Sequence, residues 1–166
     1  MVDDLETFHR EHGWIAVDMD GTFLKYNGWV SWCTFGEPIQ PMVDRMLRWI
    51  HADKKDVRIF TARVGLPVAF HTDGRPFYDR VKRHECKKTG EKFSDAMMVE
   101  AIWDHIEPLG LPRLRVQCYK DVGTTEIWDD RCVQVVPNEG VTVIERHAAE
   151  LLALRTPPLG IKEVGQ

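Results

Sequence analysis

At 166 residues and 43% apolar content, the chain is long enough to bury one sizeable core and too apolar for disorder. No apolar run approaches a bilayer span, and the acidic opening MVDDLETFHREHG is neither a secretory nor a transit signal. A cytoplasmic protein with one domain over residues 1–166 and no membrane partner is expected, and a net charge of −4 argues against a generally basic nucleic-acid binder.

The first element is WIAVDMD, residues 14–20, whose unbroken apolar character suits a central parallel strand buried on both faces. It ends in two carboxylates, Asp18 and Asp20, followed by Gly21 and Thr22. Charge at the end of a buried strand costs desolvation unless a cation compensates, or unless chemistry requires it. Residues 21–40 read as a turn and a flap carrying Phe23, Tyr26, Trp29, Trp32 and Phe35. Those rings either pack the flap onto the domain or stack on a base.

Pro41 can open a helix in PMVDRMLRWIHADKK, with Met42, Val43, Met46, Leu47 and Ile50 on one face. VRIFTAR supplies a second strand, so strand, helix and strand form the βαβ unit of a parallel sheet. Residues 64–94, broken by Pro67, Gly74, Pro76 and Gly90, read as a small lid insertion with room for one short helix. Within it, Arg75 to Lys92 holds seven Lys/Arg against three Asp/Glu, either a solvated face or a surface that steers a polyanion.

Ser94 is a candidate N-cap for SDAMMVEAIWDHI, with Ala101, Ile102 and Ile106 among the buried positions. RLRVQCYK, TEIWDD and CVQVVP then make three more strands, and a helix covers about Val143 to Leu154. The last dozen residues carry Pro157, Pro158 and Gly160 and read as loose. Cys33, Cys86, Cys118 and Cys132 form no CxxC and read as reduced thiols; His84 and Cys86 as zinc ligands lack a second ligand pair.

The outcome is an α/β fold with a central parallel five-stranded sheet, in which ligands bind beyond the carboxyl ends of the strands. Four of those ends carry polar groups: Asp18 and Asp20, Thr61 and Arg63, Lys120 and Asp121, Asp129 and Asp130. Phosphate-ester hydrolysis fits them. Asp18 attacks phosphorus as a nucleophile and Asp20 protonates the leaving oxygen. Thr61 and the neighbouring Ala62 amide take phosphate oxygens, and Lys120 supplies a fixed positive charge. Asp18, Asp20, Asp129 and Asp130 are the candidate ligands for Mg²⁺, a hard cation that needs few carboxylates.

VDMDGT, FTAR, YK and WDDR, in that order, resemble the four motifs of the haloacid dehalogenase superfamily of aspartate-dependent phosphohydrolases. The resemblance runs from about Trp14 to Val136. It implies a three-layer α/β/α Rossmann-like fold, a flap after the first strand, and Mg²⁺, and the short spacing from Gly21 to Pro41 leaves room for only a small or absent cap. It gives Asp18 as nucleophile, Asp20 as acid/base, Thr61 as phosphate binder, Lys120 as stabiliser and Asp129 as the foremost metal acid. TAR and WDDR are similar to the 3′-phosphatase domain of polynucleotide kinase-phosphatases, which implies that Arg63 contacts the substrate phosphate and that Asp130 joins Asp129. The chain has no GxxxxGK[ST] run for a kinase half. VDMDGT equally resembles the start of 5′-deoxyribonucleotidases. The expected activity is a Mg²⁺-dependent phosphatase working through an aspartyl-phosphate, acting on a nucleotide or a nucleic-acid-end (3′-) phosphate monoester. A phosphatase of sugar phosphates or other metabolites, or a non-catalytic phosphate-binding module, stands as the alternative.

Overall fold

Trp14–Asp18 forms β1, and its first four residues are all buried. The computed structural model describes residues 13–72, 75–81 and 83–155. The polar N-terminus, Lys82 and the Pro/Gly-rich tail, on which some sequence expectations fall, lie outside the described residues. Helix α1, Gln40–His51, follows the flap with Pro41 in its first turn, and leads to β2, Asp56–Phe60. The helix stops short of the expected residue 55 because Lys54 takes a left-handed conformation, φ 54°.

Two short antiparallel hairpins come next, where the sequence suggested room for a helix. They are β3, Ala69–Phe70, with β4, Pro76–Phe77, and β5, His84–Glu85, with β6, Lys92–Phe93. Helix α2, Asp95–Ile106, is capped as expected: the Ser94 hydroxyl accepts the Met97 N–H at 3.3 Å. Ile102 and Ile106 are buried, whereas Ala101 is only half-buried. The strand expected over 113–120 shrinks to β7, Val116–Gln117, and TEIWDD gives β8, Thr124–Trp128.

Among the described residues the central sheet has four strands, all parallel, in the order β7-β2-β1-β8. The chain therefore lays β2 and β7 to one side of β1 and returns to place β8 on the other. The carboxyl ends of β1 and β8 form the switch point where such sheets bind ligands.

The two faces of this sheet differ in kind. Ile15, Val17, Val57, Ile59 and Val116 share one face by register and join Met42, Val43 and Met46 of α1 and Met98, Ile102 and Ile106 of α2 in one apolar core. The opposite face carries Trp14, Ala16, Arg58 and Gln117. There the Arg58 guanidinium lies 4.5 Å from the Trp14 ring, bonds Asp56 at 2.7 Å and reaches Gln117 at 3.4 Å. The connection from β7 to β8, residues 118–123, crosses this face, and its Asp121 accepts the Trp14 indole N–H at 2.8 Å. The expected three-layer sandwich is thus seen only in part. Helices cover one face, and a strap held by polar groups crosses the other.

By compactness the chain divides after Asp130, into Met1–Asp130 and Arg131–Gln166, where one domain is expected from sequence. In the smaller unit the expected fifth strand, CVQVVP, makes only an isolated bridge, Val135 to Thr142, around a turn with Asn138 and Gly140 at positive φ. Among the described residues the central sheet therefore has four strands and not the five expected. Helix α3, Val143–Arg155, starts on a capping box in which the Thr142 hydroxyl accepts the Glu145 N–H at 3.0 Å and Glu145 accepts the Thr142 N–H at 2.8 Å. No helix among the described residues is long and apolar enough to cross a membrane.

Candidate functional site

Asp18 is the last residue of β1, and Asp129 and Asp130 follow directly on β8. Because β1 and β8 are parallel neighbours, their carboxyl ends bring the three side chains together. One carboxylate oxygen from each lies within 4.8 Å of the other two. At that spacing two charges repel by roughly 3 kcal/mol at the effective dielectric of a protein surface, which penalises the ionised form of Asp18. Burial, then the charge of Asp129, pushes the Asp18 carboxyl up to about 6, and Asp130 and Asp20 add to the rise. The donor set is all oxygen and all anionic, which suits a hard divalent cation such as Mg²⁺.

The turn after β1 is built to admit Asp130. Gly21 has φ +98°, and a Cβ there would stand 2.7 Å from an Asp130 carboxylate oxygen. A side chain at position 21 would therefore meet both backbone strain and the acid it displaces. The turn is closed by Gly21 N–H to Leu24 C=O at 2.8 Å and Leu24 N–H to Met19 C=O at 3.0 Å, with Met19, Phe23 and Leu24 fully buried. The Thr22 hydroxyl lies 3.4 Å from the Asp18 carboxylate.

Asp20 does not join the acidic group. It faces Arg63, which donates to its two oxygens from Nε at 2.6 Å and from Nη2 at 2.8 Å. The third guanidinium nitrogen donates to the Thr34 carbonyl at 3.1 Å, and the rings of Trp29 and Phe35 flank the cation at 4.7 and 4.9 Å. Only 6% of the Arg63 side chain is exposed, so the clamp is largely removed from solvent screening. This clamp was not legible in the sequence. The available signal was an aromatic-rich flap before an arginine just past the second strand, but nothing local says which acid that arginine takes.

Thr61 sits one residue past β2 and is buried; its N–H bonds the Gln117 carbonyl at 2.9 Å, and its hydroxyl accepts the Arg63 N–H at 3.2 Å. Ala62 is exposed beside it, and among the described residues its N–H has no acceptor. Lys120 is not brought to the acidic group by any ion pair or hydrogen bond among the described residues. It is exposed on the 118–123 strap, next to the Asp121 that binds Trp14 near the start of β1.

Four of the five flap aromatics pack onto the domain, with Phe23 buried, Trp29 against the core, Trp32 stacked on Phe93 at 5.6 Å and Phe35 meeting His105 at 4.9 Å, whereas Tyr26 is exposed. None of the four cysteines is in a disulfide. His84 and Cys86 do not make a metal centre: His84 lies 3.3 Å from Asp95 and Cys86 is in the core. Asp18, Asp129 and Asp130 are the one metal-competent group among the described residues. In comparisons with known proteins, no family model, no curated protein and no solved structure matches this chain.

Proposed function

We propose that this chain is a Mg²⁺-dependent phosphomonoesterase that works through an aspartyl-phosphate on Asp18. The observation that carries the reading is the convergence of Asp18, Asp129 and Asp130 at the switch point of a parallel sheet, with Asp20 two residues beyond the first. The three carboxylates would hold the cation, whose chemistry is to offset the repulsion between Asp18 and an incoming phosphate dianion.

Asp18 attacks phosphorus with one carboxylate oxygen, forming an acyl phosphate as the bond to the ester oxygen breaks. The departing oxygen takes its proton from Asp20. Water then attacks the acyl phosphate, returning a proton to Asp20, releasing inorganic phosphate and restoring the Asp18 carboxylate. Both Asp20 oxygens accept N–H bonds from Arg63, so Asp20 must exchange one of them for the leaving oxygen. Arg63 accordingly acts as a positioning residue for Asp20. The Thr61 hydroxyl and the Ala62 N–H stand at the adjoining strand end to receive phosphate oxygens. Lys120 would serve only if its flexible stem swings it toward the carboxyl end of the sheet.

Residues 64–94 form two small hairpins with no helix among the described residues, which favours a lightly covered site and a bulky ester. A nucleotide or a nucleic-acid-end phosphate is therefore the leading substrate class. The test is turnover of p-nitrophenyl phosphate with and without EDTA, beside Asp18→Asn. Metal-dependent turnover lost in the variant supports the reading, and turnover that survives both treatments overturns it. A side-by-side screen of 3′-phosphorylated oligonucleotides, nucleoside monophosphates and sugar phosphates then fixes the substrate class.

A further inference from the structure

A cleft of about 330 Å³ opens between the β3–β4 hairpin, one side of α2 and the β7 edge of the sheet, and no member of the acidic group lines it. Arg75, Arg80, Arg113 and Arg115 all contribute to its walls; Glu100 is the one acidic residue in the lining, and Asp104 stands 4.0 Å from Arg113 outside it. In a chain of net charge −4 this is a local reversal of sign. The Arg80–Glu100 pair, at 2.9 Å, leaves both side chains more than half exposed, so it holds its arginine weakly and can yield it to a ligand.

The rest of the lining is aromatic and apolar. The Trp103 ring is fixed by its indole N–H, which donates to the Leu114 carbonyl at 2.7 Å, and Arg113 stands 5.5 Å from the ring centre. Tyr78 is anchored by its hydroxyl to the Val116 carbonyl at 2.6 Å. Phe77 keeps 44% of its surface exposed at the mouth, and Val99 and Val116 complete the wall. Flat rings beside several guanidinium groups, in a space at the lower end of small-ligand pockets, suit a ligand with one planar ring and one phosphate.

We propose that this cleft binds a nucleoside phosphate, free or as a unit of a single strand, with the arginines on the phosphate and the exposed aromatic side on the base. Binding here does not depend on the phosphatase reading and is tested without catalysis. The full chain carrying Asp18→Asn, in EDTA, is titrated by calorimetry with adenosine 5′-monophosphate, adenosine, inorganic phosphate and a labelled oligothymidylate. Saturable binding of the monophosphate or the oligonucleotide is expected, at least about tenfold tighter than adenosine or phosphate alone. Arg75→Gln with Arg113→Gln, both at exposed positions, is expected to weaken it about tenfold with an unchanged circular dichroism spectrum. Phe77→Ala is expected to weaken the monophosphate by roughly threefold to tenfold, as lost base stacking would. A preference for the oligonucleotide identifies a strand as the source, and equal or tighter monophosphate binding identifies a free nucleotide. No saturable binding of either, or full binding by the double arginine variant, overturns the proposal.

Discussion

Asp18 and Asp20 stand two residues apart on one turn, yet they occupy opposite electrostatic regions. Asp18 faces two more carboxylates, whereas Asp20 sits against a guanidinium enclosed by Trp29 and Phe35. The first region gathers three carboxylates, and burial together with the neighbouring charges raises the Asp18 carboxyl. The second is complete within the protein. The same residue type thus stands among like charges in one place and against a guanidinium in the other.

The largest effect should come from erasing the acidic side. Asp18→Asn is expected to cut phosphatase turnover by at least about a thousandfold while the protein stays folded, read by initial rates beside circular dichroism. Arg63→Gln attacks the other side. It leaves Asp20 without its bidentate partner in a largely buried place, and urea denaturation should show a loss of about 2–4 kcal/mol. Gly21→Ala strikes the boundary between the two regions. A cost of about 1–3 kcal/mol is expected, and a smaller stabilisation by Mg²⁺ than in the parent, because the added methyl displaces Asp130.

A smaller effect follows from pH. The folded chain keeps a proton on Asp18 up to about 6, whereas the unfolded chain releases it near 3.8. The Asp18 contribution to metal-free stability should therefore be fully present below the unfolded value and be lost as pH rises through about 6. The melting temperature should drop by a few degrees, roughly, across that window, and either saturating Mg²⁺ or Asp18→Asn should flatten the slope. A melting temperature that climbs over the same range would mean that Asp18 is already compensated. The smallest change is expected for Trp29→Leu, which removes one face of the clamp and should cost about 0.5–1 kcal/mol by urea denaturation.

Much of this arrangement was legible from residue order. The apolar run WIAVD and the Pro41 and Ser94 helix starts place β1, α1 and α2 because each depends on local pattern, whereas the carboxylates after two strand-like runs are brought together only by the pairing of β1 with β8, and without Asp20. The third strand was read too long, since RLRVQCYK has strand composition but only Val116 and Gln117 find a partner in β2. CVQVVP has strand composition too, but among the described residues it makes only the Val135–Thr142 bridge. The hairpins of residues 64–94 were hidden by their Pro and Gly content, which marks turns without revealing two-residue strands between them. The Asp20–Arg63 pair spans 43 residues and is set by how the flap folds back, which no local pattern encodes.

The strap across the polar face has a consequence for the length of the chain. Gln117 is level with Phe60 and Asp18, and Thr124 is level with Trp14 on the far side of the sheet. Crossing three strand spacings while descending four residues takes about 20 Å, and the seven intervening steps reach only about 24 Å at full stretch. Much of that margin is needed to clear the side chains of Ala16 and Arg58. Removing even one residue between Cys118 and Gly123 should tear β8 from its place, whereas an added glycine there should be absorbed as slack.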